Sequence, residues 1–116
     1  MGISTHVLDV SRGRPAAGVR VVLERRSSDG GGDGWRRLGE GATDDDGRVA
    51  ALLPGGVALE AGVHRITFAL GEWFAARGVD AFYPEAAIAF HVRHPGEHHH
   101  VPLLLSPFGY STYRGS

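Results

Sequence analysis

The sequence predicts an all-β chain, folded as an antiparallel sandwich of two sheets with one short helix. Two observations carry that prediction. Short runs of alternating apolar and polar residues recur along the chain, and clusters of Gly, Pro and Asp separate them. A single stretch, "GEWFAARG" at 71–78, has the length and residues of a two-turn helix, with Gly78 placed to close it. The chain has 116 residues, 42% apolar and 22% charged, which suits one globular domain spanning 1–116 with a modest core. No internal repeat, linker or second domain interrupts it.

The elements follow in order. "HVLDV" at 6–10 is the first strand, and "SRGRPAAG" is a turn. "GVRVVLER" at 18–25 puts Val19, Val21 and Leu23 on one face. "SSDGGGDG" at 27–34 is a glycine-rich turn, and "WRRLGEGAT" an irregular strand. "DDDGR" at 44–48 is a tight turn in which Gly47 supplies a positive φ. "HRITFAL" places Ile66, Phe68 and Leu70 together, and "AIAFHV" does the same for Ile88, Phe90 and Val92. One long strand, "HHHVPLLLS" at 98–106, and an extended tail, "GYSTYRGS", complete seven or eight strands. An antiparallel two-sheet sandwich closes such a set.

Strand parity sorts the three consecutive histidines. Val101, Leu103 and Leu105 share the face that belongs to the core. His98, His100, Pro102 and Leu104 take the other face, so two imidazoles stand side by side on the outside of a sheet, among apolar residues. Such a face is one a partner subunit can cover. His99 has core parity, near the rim.

Composition excludes several function classes. Twelve basic and thirteen acidic residues are interspersed, leaving no basic field for nucleic acid or an anionic membrane. No stretch approaches the ~20 apolar residues needed to span a bilayer. There is no cysteine, hence no disulfide and no thiolate chemistry, which fits a cytoplasmic protein. The opening "MGISTHVLDV" has neither a basic segment nor the apolar run of a secretory signal. No Gly-x-Ser-x-Gly elbow or phosphate-binding loop is present.

The seven histidines are the compositional oddity. His98 and His100, two apart on a strand, suit proton transfer near neutral pH or a bidentate metal pair, and two surface histidines without a role satisfy the same spacing. His6 is a polar residue within an apolar-leaning strand. His64, His91 and His94 read as surface residues. Arg48 is either a solvated turn arginine, paired with Asp44, Asp45 or Asp46, or a guanidinium that grips a carbonyl-rich or anionic ligand. The three aspartates lack the alternating spacing of a Ca²⁺ loop.

Four stretches resemble the transthyretin-related 5-hydroxyisourate hydrolase family of purine catabolism. They are "STHVLDVSRGRPAAGVRVVLER", "TDDDGR", "FYPE" and "HHHVPLLLSPFGYSTYRGS", and together they run from about residue 3 to residue 116. The terminal "YRGS" is the most specific of them, since transthyretin carriers share the fold without that ending. The resemblance implies a transthyretin-like sandwich of two four-stranded sheets with one short helix. It implies a homotetramer, a dimer of dimers with sites at the dimer–dimer interface. It implies hydrolytic ring opening of 5-hydroxyisourate to 2-oxo-4-hydroxy-4-carboxy-5-ureidoimidazoline, without metal or cofactor. Position by position, it implies His6, Arg48, His100 and Ser116 as catalytic residues and His6, Arg48, His98 and Tyr113 as substrate contacts. The implied division of labour is a water held and deprotonated by His6 and His100, an Arg48 that grips the substrate and steadies developing charge, and a Ser116 that orients a histidine or relays a proton. The alternative is a non-catalytic small-molecule carrier of the same fold. One departure stands out. The family motif is His-Tyr-His, and here His99 replaces the tyrosine. Its parity points away from His98 and His100, so the reactive face should survive.

Overall fold

Residues 2–27 and 34–116 are described by a computed structural model of the chain. The glycine-rich turn expected at 27–34 lies outside the described residues except for its ends, where the Ser27 amide donates to the Gly34 carbonyl (2.7 Å).

Two sheets face each other. One has the order β4 (Trp35–Ala42), β3 (Arg20–Arg26), β6 (Gly62–Phe68), β7 (Ala86–Val92), antiparallel throughout. The other has the order β10 (Gly109–Thr112), β9 (Leu103–Ser106), β1 (Ile3–Asp9), β2 (Arg14–Pro15), and the short β5 (Arg48–Val49) and β8 (His99–His100) also pair with β1. The expected antiparallel pattern holds for most pairings. The exception is β1, which runs parallel to β8 and β9. Local alternation cannot encode this, because it reports which face a residue takes and not which strand lies beside it.

The alternating residues do what their parity demands. Val21, Leu23, Ile66 and Phe68 from one sheet, with Val19 just before β3, meet Ile3, Val7, Leu103 and Leu105 from the other, all 0% exposed. At about 25 cal/mol per Å² of apolar surface removed from water, each such side chain contributes on the order of 2 kcal/mol. The helix α1 (Leu70–Ala75) is shorter than its sequence stretch, and Gly78 (φ 70°) takes the left-handed conformation beyond it. Trp73 on α1 donates to the Ala17 carbonyl (2.7 Å) and carries the Arg77 guanidinium on its ring (3.8 Å), which ties the helix to the loop before β3.

Four sequence expectations need correction. The first strand begins at Ile3, not His6, so Ser4 joins it. The single strand expected over 98–106 is two, because Pro102 has no N–H to give the ladder and pairing lapses at 101–102. His64 is not a surface residue. It alternates with Ile66 and Phe68, is 0% exposed, and tilts against Phe90 with ring centroids 6.0 Å apart. His99 is also deeper than a rim position, at 4% exposed, with Nδ1 paired to the Glu97 carbonyl (3.0 Å).

Candidate active site

The outer face of the β1–β9 sheet gathers residues from four distant segments. Ile3, Thr5, Val7 and Asp9 point inward, so Ser4, His6 and Leu8 take the outer face. Parallel register sets Ser4 beside His100 and Leu8 beside Leu104. Antiparallel register sets His6 beside Arg48.

The turn before β5 fixes Arg48. Asp44 Oδ1 accepts the amides of Asp46 and Arg48 (both 2.9 Å), and the Asp44 amide donates to the Arg48 carbonyl (2.9 Å). The acidic run is turn chemistry, as its spacing indicated. Gly47 (φ 78°) is buried against β1, where its carbonyl accepts the Val7 amide (2.7 Å), and a Cβ there would collide with the Val7 carbonyl. Among the described residues no carboxylate pairs with the Arg48 guanidinium, which leaves its fork for a ligand.

Backbone ties hold β8 against β1. The His99 amide donates to Gly2 (2.8 Å), the Val101 amide to Ser4 (2.9 Å), and the Thr5 hydroxyl to the Val101 carbonyl (2.6 Å). These bonds flank His100 on both sides and keep it in place. The tail then crosses β8: the Gly115 amide donates to the His100 carbonyl (2.8 Å), and the two residues form an antiparallel bridge. A Cβ on Gly115 would lie 2.5 Å from His100 Cδ2, so the tail rests on the imidazole itself.

Ser4, Thr5, Arg48, Ala50, His98, His100 and Ser116 line a cavity of about 260 Å³. The Ser4 hydroxyl lies 2.7 Å from His98 Nε2 and 2.7 Å from His100 Nδ1. Burial pushes the His100 imidazolium below its ordinary pKa, and the charges of Arg48, His6 and His98 push it further in the same direction. The neutral imidazole is therefore the favoured form of His100 at pH 7. His99, buried on the other side of the strand, is lowered chiefly by burial as well.

Of the residues singled out from sequence, Arg48, His98, His100 and Ser116 meet at this cavity. His6 adjoins it through its pairing with Arg48 and its charge at His100. Tyr113 does not line it. The pairs Leu103–Thr112 and His100–Gly115 share one register, which sets Tyr113 opposite Pro102, and the residue borders a separate apolar cavity with Ile88, Phe90 and Val101. Among the described residues, no three His, Cys, Asp or Glu side chains form a ligand group for a metal. Sequence reasoning missed Ser4. The alternation of Ile3, Thr5 and Val7 was the signal that places Ser4 on the face of His6.

Fold and cavity together define a two-sheet β-sandwich with a candidate small-molecule site on the outer face of one sheet. The chain belongs to the HIUase/Transthyretin family, whose sequence profile matches residues 3–115. It is 47% identical over 114 residues to a 5-hydroxyisourate hydrolase of Salmonella typhimurium, covering 98% of this chain and 80% of the relative. It is also 47% identical over 119 residues to a 5-hydroxyisourate hydrolase of Caulobacter vibrioides, covering 99% and 98%. Among solved structures it superposes on 5-hydroxyisourate hydrolase from Klebsiella pneumoniae with a TM-score of 0.83 at 39% identity, covering 100% of both chains. Sea bream transthyretin in complex with thyroxine superposes with a TM-score of 0.88 at 29% identity, covering 99% and 95%.

Proposed function

We propose that this chain is a 5-hydroxyisourate hydrolase, which opens the ring of its substrate with water to give 2-oxo-4-hydroxy-4-carboxy-5-ureidoimidazoline. The observation that carries the reading is the single cavity shared by Arg48, His98, His100 and Ser116, with His6 paired to Arg48. The relatives that bear this name, at 47% identity over nearly the whole chain, support the substrate.

Hydrolysis of a cyclic amide needs a deprotonated water, charge stabilisation on the carbonyl oxygen, and a proton for the leaving nitrogen. His100 suits the first task, because its neutral form is favoured at pH 7. His6 orients the same water. Arg48 binds the carbonyl-rich edge of the substrate and steadies the developing oxyanion, and the Ser116 hydroxyl holds a histidine or the water. His98 contacts substrate, and Tyr113, itself 57% exposed and outside this cavity, contacts it across the cleft of the assembled oligomer. No step calls for a cofactor. The assembly is a homotetramer, a reading supported by the open edges β7 and β10 and by the partly exposed apolar surface around the site.

The test is turnover. 5-Hydroxyisourate generated in place from urate by urate oxidase has a characteristic ultraviolet decay. Acceleration of that decay far beyond the spontaneous rate is expected. A folded protein that leaves the decay unchanged refutes the proposal, and would return the chain to the carrier reading of its fold.

A further inference from the structure

We infer that the Ser4 hydroxyl is a proton bridge joining His98 and His100 into one acid–base unit, which makes Ser4 a positioning residue for hydrolysis. The inference rests on the function proposed above and adds to it a residue that touches both imidazoles.

The geometry is specific. Ser4 is only 8% exposed, and its Oγ makes two contacts of 2.7 Å, to His98 Nε2 and to His100 Nδ1. A hydroxyl has one proton to donate and lone pairs to accept with. When it bridges two neutral imidazoles by donating to one and accepting from the other, their tautomers are locked together. If His100 carries its proton on Nδ1, it donates to Ser4, and Ser4 donates to the bare Nε2 of His98. The remaining nitrogen of His100, Nε2, is then unprotonated and able to act as a base. In the opposite polarity His98 Nε2–H donates to Ser4, Ser4 donates to His100 Nδ1, and His100 Nε2 carries a proton and can act as an acid. Uptake of a proton at His100 Nε2, together with one concerted shift along the bridge, converts the first arrangement into the second and leaves the added positive charge on His98.

That shift completes the reaction. In the first half, water oxygen bonds to the carbonyl carbon and its proton passes to His100 Nε2. The Nδ1 proton of His100 moves to Ser4 as the Ser4 proton moves to His98 Nε2. His100 ends neutral and His98 ends as the imidazolium. In the second half the carbon–nitrogen bond breaks. His100 Nε2 returns its proton to the leaving nitrogen, and the bridge runs backward to restore His98 to neutrality. One water is consumed, one C–O bond forms, one C–N bond breaks, and no net proton is gained.

The arrangement of charge gives the bridge its use. His100 is half-buried, with Arg48 from β5, His6 from β1 and His98 from the segment before β8 all disfavouring a cation on it. His98 is exposed to solvent, where an imidazolium is better hydrated. The base at the reacting water therefore need not keep the charge that it generates. Two surface histidines without a role would not converge on one nearly buried hydroxyl. A metal held between them would need the point that Oγ occupies.

The experiment has two arms. In the first, wild type, Ser4→Ala and Ser4→Thr are compared in turnover of 5-hydroxyisourate across pH 5–8. Loss of the bridge should lower kcat by about tenfold to a hundredfold with KM within about twofold, as removal of part of an acid–base system does. Ser4→Thr, which keeps the hydroxyl, should recover most of it. The acid limb of the profile should move to lower pH in Ser4→Ala, because the wild-type pair takes up its first proton as a unit and His100 alone takes it up later. A Ser4→Ala enzyme with wild-type kcat and pH profile overturns the inference. The second arm needs no variant and no substrate. Nitrogen-15 NMR of the histidine rings in the wild-type protein should find one proton shared between His98 Nε2 and His100 Nδ1 near pH 7. Finding both nitrogens fully protonated, so that each donates to Ser4, overturns the bridge. A wild type without turnover refutes the proposed function instead, and the ring-nitrogen result then still decides whether the bridge exists.

Discussion

Gly115→Ala isolates the contribution of the tail to the site. A Cβ at this position lies 2.5 Å from His100 Cδ2, 3.2 Å from Pro102 Cγ and 3.3 Å from His100 Cγ. Ordinary contact begins at 3.4 Å, so about 0.9 Å must be made up at the imidazole. Pro102 is buried and cannot retreat, so either His100 rotates off the Ser4 hydroxyl or the tail lifts and takes Ser116 out of the cavity. A displacement of about 1 Å at a reacting group costs about 10²-fold in rate, or about 2.7 kcal/mol of transition-state stabilisation. Stability should change far less. The tail is tied down here by one backbone bond, Gly115 to His100, and losing it costs about 1 kcal/mol. The assay is kcat/KM for decay of 5-hydroxyisourate together with Tm. Gly96→Ala serves as the control, since a Cβ there meets nothing within 4 Å. If Gly115→Ala keeps kcat/KM within twofold of wild type, the tail does not support the site and the reasoning fails.

Other predictions follow from the same geometry. His6→Ala and His100→Ala should each lower the rate by at least ~10²-fold if they do acid–base work, and losses below tenfold in both would sink that assignment. Because the folded pKa of His100 lies below the ordinary ~6.5 of histidine, activity should hold as pH falls to 6.5 and decline only lower, and a flat profile from pH 5 to 8 would contradict an imidazole base. Buried His64 has its pKa lowered chiefly by burial, and its Nε2 has no partner. The unfolded chain therefore binds a proton that the native one resists, so stability should fall as pH drops below ~6.5 and until the folded pKa is passed. In His64→Phe that part of the pH dependence should vanish in denaturant titrations at pH 7.5 and 5.5, and an unchanged slope would contradict it. Turnover should survive EDTA, and its loss, restored by a divalent metal, would revive the metal reading of His98 and His100.

Much of this was legible in the sequence because burial follows parity. The alternation of Val101, Leu103 and Leu105 was enough to put His98 and His100 outside the sheet, and the "DDDGR" turn was enough to present Arg48. The same rule, applied to His64, would have placed it inside with Ile66 and Phe68. A polar residue name outweighed its position. Ser4 was lost for a related reason, since its strand was started at the first strongly apolar run and not three residues earlier, at Ile3. Other features were beyond any local reading. The parallel pairing of β1 with β8 and β9, the approach of Gly115 to the His100 ring, and the pairing of His6 with Arg48 are contacts between segments far apart in the chain. Alternation carries no information about which strands become neighbours. The resemblance in "YRGS" pointed to the tail, and the structure sets its Ser116 at the cavity.

The measurement that bears most directly on the account is the rate of 5-hydroxyisourate decay with the wild-type chain beside Arg48→Ala and His100→Ala, all shown folded by matching Tm. The account predicts strong acceleration by wild type and a loss of about 10²-fold or more in each variant. Wild-type rates in both variants would mean that hydrolysis, if it occurs, takes place somewhere other than the cavity on the outer face of the β1–β9 sheet.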